Sequence, residues 1–330
     1  MSDIRLKLNE GEKIAFISDV HVDSKMPDSR VDDIITTLKD KLVDIFNKCI
    51  AENVKYVFFE GDVVNRVQCP FEPITMLADI LLRFKQEGMR CFSILGNHDI
   101  VRNSLENLDK SPIQILFKLG VLEHINLDTR VIINDTVLLT AVDYTEYPIK
   151  ADKSFNSNIL LAHMFYGKSG FLSDEKHNLT DTNILDLGYD LVVLGHDHED
   201  YNDVIVGSTK IVRHGSVLRG TSHNYNFTRK PNFVVIDDIK NPKEVRRIEI
   251  AHRDYKDVAS EYILNKKTFS SMNALQDVLS NLADKLVDTT ETDSDRIYNI
   301  IMGDEKLPND CRDCLLYTSD AADDLLCVDL

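Results

Sequence analysis

Five short apolar runs in this chain each stop at a residue able to hold a metal ion or a proton, and that coincidence narrows the possible folds sharply. The run 14–18 leads into Asp19-Val20-His21, and the run 55–60 into Gly61-Asp62. The run 90–95 leads into Gly96-Asn97-His98-Asp99, the run 158–162 into His163, and the run 190–194 into Gly195-His196-Asp197-His198. Five of the chain's ten His fall in these turns. Apolar runs of this length bounded by Gly and polar residues read as buried strands. In sheets with helical crossovers, the carboxyl ends of the strands are where ligand crevices form.

The spacing between the runs predicts those crossovers. Residues 31–51 place Val31, Ile34, Ile35, Leu38, Leu42, Val43, Ile45 and Phe46 at roughly helical spacing. A second helix is expected over 73–87, giving a β-α-β-α-β series. Pro112 suits the start of a short helix over 112–119 that Gly120 ends. The texture then turns strand-rich, at 130–133, 136–142, 158–162, 190–194, 203–206, 210–213 and 232–236, with Asn134-Asp135 as a hairpin turn. From about 251 to 313 the sequence is more polar, with one amphipathic helix expected over 271–287. Residues 1–250 therefore form the main domain, and 251–313 a small, truncated accessory domain. The tail 314–330 (CLLYTSDAADDLLCVDL) resembles the translation of a sequencing-adapter end and is set aside from fold reasoning; the alternative is a native acidic tail.

Charge and cysteine usage exclude several classes. The net charge is −17, and removing the four Asp of the tail leaves −13, so the chain does not coat nucleic acid by charge alone. No apolar run reaches the roughly 18 residues that span a bilayer, and the N-terminus lacks a signal-peptide core, so no membrane is involved and the cytoplasm is expected. The six Cys are scattered without a disulfide framework, and Cys49 and Cys91 read as small core hydrophobes.

The turn residues suit two metal ions. Asp19 and His21 are one residue apart, as are His196 and His198, so in extended segments each pair points the same way. Carboxylate, amide oxygen and imidazole donors favour manganese, iron or zinc over thiophilic metals. Asp62 is placed to bridge the pair, and two ions about 3.5–4 Å apart clamp an in-line displacement at phosphorus.

The ordered blocks D-V-H, G-D-V-V-N-R, G-N-H-D, A-H-M and G-H-D-H resemble the signature of the calcineurin-like metallophosphoesterases, and the resemblance covers about 240 residues. It implies a hydrolase with an α/β fold: a four-layer αββα sandwich of two mixed β-sheets flanked by helices, with a cap-like C-terminal domain. It further implies that Asp19, His21, Asp62 and His198 hold one metal ion, and that Asp62, Asn97, His163 and His196 hold the other, manganese being the expected metal. His98 would serve as catalytic acid rather than ligand, oriented by Asp99. Asn65 and Asp99 depart from the blocks of the protein phosphatases of this class, which turns the reading away from phosphoproteins.

Within the superfamily the closest resemblance is to the SbcD-like DNA repair exonucleases of bacterial and phage type. The G-N-H-D form matches, and Arg213 to His223 resembles the G-S-x-x-R stretch that follows the last histidines there. This implies DNA as substrate and an SbcC-like ABC-type ATPase partner, with a homodimer also open. Arg66, Gly215, Ser216 and Arg219 are the candidate phosphate-binding residues, through backbone N–H groups and guanidinium forks. Residues 204–230 also carry Lys210, Arg213, Arg229 and Lys230, and Tyr225 and Phe227 are placed to stack on bases. The alternatives are a phosphoesterase acting on nucleotides or other small molecules, and a scaffold with a decayed site.

Overall fold

The chain is described by a computed structural model over residues 2–101, 104–167, 177–221 and 223–260. It divides into two units, Met1–Leu264 and Asn265–Leu330. The helix expected over 271–287, the 314–330 tail and most of the accessory domain lie outside the described residues. Residues 251–260 belong to the first unit: Val31 N donates to Val258 O at 2.9 Å, and Ser260 N to Ser29 O at 2.9 Å. The first unit therefore runs past the boundary expected at 250.

In chain order the first half is β1 (Ser2–Leu6), β2 (Lys13–Ile17), α1 (Ile34–Ala51), β3 (Val54–Phe59), α2 (Phe71–Gln86), β4 (Arg90–Ser93), α3 (Ile113–Lys118) and β5 (Glu123–His124). The second half is β6 (Thr129–Ile133), β7 (Val137–Val142), β8 (Ser157–His163), β9 (Phe165–Tyr166), β10 (Asn178–Leu179), α4 (Asp181–Leu187), β11 (Leu191–Gly195), β12 (Val204–Val206), β13 (Thr209–Val212), β14 (Asn232–Ile236) and β15 (Val245–Glu249). A six-stranded sheet has the order β15-β14-β2-β3-β4-β5, and a seven-stranded sheet the order β1-β6-β7-β8-β11-β13-β12. Both are mixed: β2, β3, β4 and β5 run parallel to one another in one, with β14 antiparallel to β2, and β7, β8, β11 and β13 run parallel to one another in the other, with β6 and β12 antiparallel at its two sides.

Alternation along each strand builds the layers. On β3, Tyr56 and Phe58 face one core while Val57 and Phe59 face another. The first core lies between the sheets, where Phe16, Phe58 and Phe92 stack at 5.5 and 5.1 Å between ring centroids and meet Val131, Leu139, Ile159 and Val193. The second packs the six-stranded sheet on α1, α2 and α3. A third packs the seven-stranded sheet on α4. The result is the αββα sandwich that the resemblance implied.

Local signals explain the element ends. Asp33 caps α1, its carboxylate accepting from Thr36 N at 2.6 Å. Helix α1 thus begins after Val31, which is 64 % exposed and not part of the apolar face expected from its spacing. Asn134 and Asp135 take φ of 49° and 56°, the paired left-handed residues of a tight turn between antiparallel β6 and β7.

A surface network ties β15 to the start of β2 and the end of α1. Arg246 reaches Glu52 at 2.6 Å and Asp237 at 2.8 Å, and Lys13 reaches the same two carboxylates at 2.8 and 3.1 Å. Hydrogen bonds from Arg246 and Lys13 hold Glu52 and Asp237 down at about 2. Carboxylates depressed in the folded state stabilise it above the ordinary carboxylate range, and that contribution is lost as pH falls from about 4.5 toward 2. Arg246→Gln is expected to lower the urea midpoint at pH 7 and to leave it unchanged near pH 2. The difference amounts to under about 1 kcal/mol because these groups are partly exposed and screened. An equal loss at both pH values would show that packing, not charge, is involved.

Candidate metal centre

The carboxyl ends of the parallel strands in both sheets converge on one edge. Strands β2 and β3 deliver Asp19 and Asp62, the turn after β4 delivers Asn97 and His98, and β8 and β11 deliver His163 and His196. His163 and Gly195 are themselves paired across the β8–β11 ladder.

The route by which the donors converge differs from the expectation of extended segments. Asp19, His21, Asp62 and His196 all take positive φ, at 46°, 50°, 48° and 90°. Such backbone costs on the order of 1–3 kcal/mol per residue and persists only where the surroundings over-determine it. Here they do. His21 N donates to Asp62 O and Val22 N to Val63 O, both at 2.9 Å, and Asn65 N returns to Val22 O at 3.1 Å. The turns after β2 and β3 are thereby laced side by side. The Asp62 carboxylate accepts from His98 N at 2.8 Å, and Asp19 accepts from His196 N at 3.1 Å and from Ser18 Oγ.

The donor atoms form three overlapping groups: Asp19, His21 and His198; His21, Asp62 and His98; and Asp62, His163 and His196, each with ligand atoms within 4.8 Å of one another. Asp62 belongs to two of them. His21 Nε2 lies 2.9 Å from His198 Nε2 and 3.6 Å from Asp62 Oδ2, and His163 Nε2 lies 3.2 Å from Asp62 Oδ2. Asp19, Asp62 and His163 form a floor no more than 1 % exposed, while His98 is exposed.

This cluster fits divalent cations. His163 Nδ1 faces Glu60 O at 2.7 Å, so in the neutral ring Nε2 carries a lone pair turned to a carboxylate. That Nε2 and the Asn97 Oδ1 are both buried without a hydrogen-bond partner. Burial, then the Asp62 carboxylate, set His163 in opposite directions, and the carboxylates win, raising it to about 10. Burial also works against Asp62, yet His163 and His98 hold it well below the carboxylate range. Burial holds His21 well below its ordinary value and lowers His196 to about 3. Two buried carboxylates among imidazoles and an amide oxygen make a hard-to-borderline donor set.

Asp99 does not orient His98. It is fully buried, and its carboxylate accepts from Val64 N at 2.9 Å, Gly96 N at 3.0 Å and Val63 N at 3.3 Å. Burial, with Asp62 nearby, raises it to about 7. It organises the two ligand turns, and the oxygen at 2.5 Å from His98 Nδ1 is the backbone carbonyl of Asn65.

The phosphate-binding expectations fare unevenly. Arg66, 41 % exposed in its side chain, is held by Asp23 at 2.9 and 3.1 Å. Gly215 takes φ of +70°, and a Cβ there would lie 2.5 Å from His198 O, so its role is to let two backbones approach. Ser216, 2 % exposed, donates to Leu218 O and accepts from Arg229. Arg219, 4 % exposed, turns inward to the carbonyls of Asn226, Arg229 and Arg253. Neither is available to a phosphate at the metal centre. Much of the rest of the basic stretch is also paired within the chain: Lys210 with Asp203 at 2.8 Å, and Arg213 lies 3.9 Å over the Tyr201 ring, while Lys230, 68 % exposed in its side chain, meets Glu249 at 3.3 Å on the surface. Tyr225 stacks on His223 and Phe227 meets Tyr255 edge-on.

Sequence reasoning missed the aromatic wall beside His196. Phe165 lies 4.0 Å from it, and Tyr144 lies 5.5 Å from it while stacking on His177 at 4.0 Å. Apolar strand ends carry no signal for such a wall. It missed equally the fully buried His214–Glu60 pair beneath the centre, at 2.5 Å, which links β13 to β3.

The profile of the family described as Calcineurin-like phosphoesterase matches residues 12–200. A search of curated proteins finds no sequence match. Among solved structures, a protein of Thermus thermophilus is similar at 8 % identity, with 72 % of this chain and 99 % of that one covered and a TM-score of 0.45. A Staphylococcus aureus protein provisionally described as a 5′-nucleotidase, in complex with α-ketoglutarate, is similar at 13 % identity, with 72 % and 53 % covered and a TM-score of 0.44.

Proposed function

This chain belongs to the calcineurin-like phosphoesterase family, hydrolases acting on phosphoester bonds, and on that premise we propose that it cleaves phosphodiesters at two adjacent divalent ions, manganese first among them. The observation that carries the reading is Asp62, buried, shared between two ligand groups and hydrogen-bonded to the turn that bears Asn97 and His98. Asp19, His21, Asp62 and His198 would hold one ion, and Asp62, Asn97, His163 and His196 the other. Bound there, the ions would supply positive charge to the phosphoryl oxygens and acidify water. The chain's own residues do the rest. Glu60 O fixes the His163 ring, Asn65 O fixes His98 through Nδ1, and the opposite nitrogen of His98 passes a proton to the leaving oxygen. Arg66, partly exposed and held by Asp23, would meet a phosphate.

For the substrate we propose DNA, with an SbcC-like ABC-type ATPase as partner. The support is the G-N-H-D form and the Arg213 to His223 stretch in the sequence. A second reading, a phosphoesterase acting on nucleotides or other small esters, is favoured by the internal use of the cations in 204–230. Purified protein with manganese, given 3′-ended duplex DNA and bis-p-nitrophenyl phosphate, separates the two. DNA degradation that disappears in His98→Ala supports the nuclease. Hydrolysis of the small ester alone rejects it, and turnover of neither with metal bound rejects both.

A further inference from the structure

Four cations sit together in the interior, none of them among the candidate metal ligands. Arg30, Lys41, Arg219 and Arg229 are 5 %, 5 %, 4 % and 6 % exposed. One carboxylate is buried with them, Asp32, which holds Arg30 through contacts of 2.9 and 2.6 Å and also meets Arg253 at 3.2 Å. Among the described residues, Lys41, Arg219 and Arg229 have no carboxylate within 4.0 Å. Buried Lys and Arg are rare unless paired, and an uncompensated buried charge is costly.

Arg229 is satisfied without a carboxylate, by oxygens of Ser216, Leu218 and Asn226. The other two keep donors to spare. Lys41 Nζ makes one long contact, 3.4 Å to Ala251 O, and Arg219, whose two terminal nitrogens are spent on backbone carbonyls, keeps its Nε buried without a partner. Both line a cavity of about 650 Å³ walled by Arg30, Arg253 and the first turns of α1. We propose that this cavity binds a phosphate-bearing anion, inorganic phosphate or a small phosphate monoester, whose oxygens accept from Lys41 Nζ and Arg219 Nε.

Two further observations agree. Burial, with Arg219, Arg229 and Arg30 nearby, outweighs the pull of Asp44 and pushes Lys41 down to about 7. The volume exceeds that of phosphate alone and falls within the roughly 300–1,000 Å³ of small-molecule pockets, so a monoester with an organic group has room. Asp32, Asp33 and Asp40 also line the cavity, but Asp32 is committed to Arg30, Thr37 and Arg253, Asp33 and Asp40 are exposed, and the Asp33 carboxylate is committed to Thr36 N. The site is separate from the metal centre, though Val217, two residues before Arg219, donates to Ser18 O and Asp19 O at 3.3 Å.

The test uses the full chain stripped of metal with a chelator, so that the metal centre binds no phosphate. Calorimetric titration with inorganic phosphate and with adenosine monophosphate, against chloride of matched ionic strength, should show saturable binding of one anion per chain. Lys41→Met should weaken it about ten- to hundredfold, while Asp19→Asn, at the metal centre, should leave it intact. Lys41→Gln gives the same readout should the Met variant not fold. Tighter binding of the nucleotide than of phosphate identifies a monoester as the occupant; equal binding identifies free phosphate. Absence of saturable binding beyond matched chloride, unchanged binding in the Lys41 variants, or its loss in Asp19→Asn overturns the proposal.

Discussion

Replacing His98 by Ala is expected to lower kcat about 10²- to 10⁴-fold while leaving the bound metal unchanged, the span that a positioned proton donor contributes. Two geometric facts separate that outcome from a loss of metal. The bond from this residue to Asp62 Oδ1, 2.8 Å, comes from the backbone N–H, which Ala retains. The imidazole is the exposed member of the cluster and is anchored by Nδ1 to Asn65 O, not to another donor. A competing expectation is equally concrete. His98 also falls in a group with His21 and Asp62, with ligand atoms within 4.8 Å of one another. If it is a ligand, His98→Ala should lose metal by elemental analysis in proportion to activity. Metal content and kcat measured on the same preparation decide between acid and ligand. The same variant assayed on an ester with a much better leaving group should recover most of its rate if His98 protonates the leaving oxygen, because such a group needs no proton.

The pattern that revealed this centre is legible in the sequence because strand ends and ligand types are local properties. Each of β2, β3, β4, β8 and β11 is a short apolar run followed at once by its donor, and burial on both faces makes such runs conspicuous. What lies across the fold is not local. That β1 would leave its neighbour β2 and pair with β6 in the other sheet, or that β14 would return beside β2, is set by packing and not by any signal at residues 2–6 or 232–236. Helix α4 is different: its cap was readable, with Thr180 and Asn183 exchanging side-chain and backbone bonds and Gly188 closing it at φ of 72°, but seven residues of weak periodicity hid it. The errors in the site share one cause. Asp99, Ser216 and Arg219 were read by chemical type and proximity in sequence, and each is consumed by backbone partners that come from elsewhere in the fold. The positive φ at Asp19, His21, Asp62 and His196 was likewise invisible, because the bonds that enforce it join separate strands.

The crowding around Asp62 makes Gly96→Ala a more severe change than its size suggests. Gly96 has φ of −87° and ψ of 176°, ordinary extended backbone, so Ala meets no conformational penalty there. The penalty is entirely spatial. An added Cβ would overlap Asp62 Oδ1 and lie 2.5 Å from Asp62 N and 2.7 Å from Asp62 Cγ. Rotating the Asp62 side chain cannot relieve the contact with its backbone nitrogen, so the turns bearing Asp62 and Asn97 must separate. Overpacking of this kind costs about 1–3 kcal/mol of stability. The larger effect falls on function, because a displacement of roughly 1 Å at a reacting centre costs about 10²-fold in rate, and Asp62 is the donor shared by two ligand groups. Gly96→Ala should therefore fold with a native circular dichroism spectrum, bind metal more weakly and lose at least two orders of magnitude in kcat. Gly120→Ala supplies the comparison: φ there is +62° and the nearest foreign atom to a Cβ is 3.6 Å away, so it should cost about 1–2 kcal/mol of stability through backbone strain alone. If the two variants lose stability alike and Gly96→Ala keeps its metal and its rate, the two turns have room to yield, and the close approach of Gly96 to Asp62 is packing without consequence for the centre.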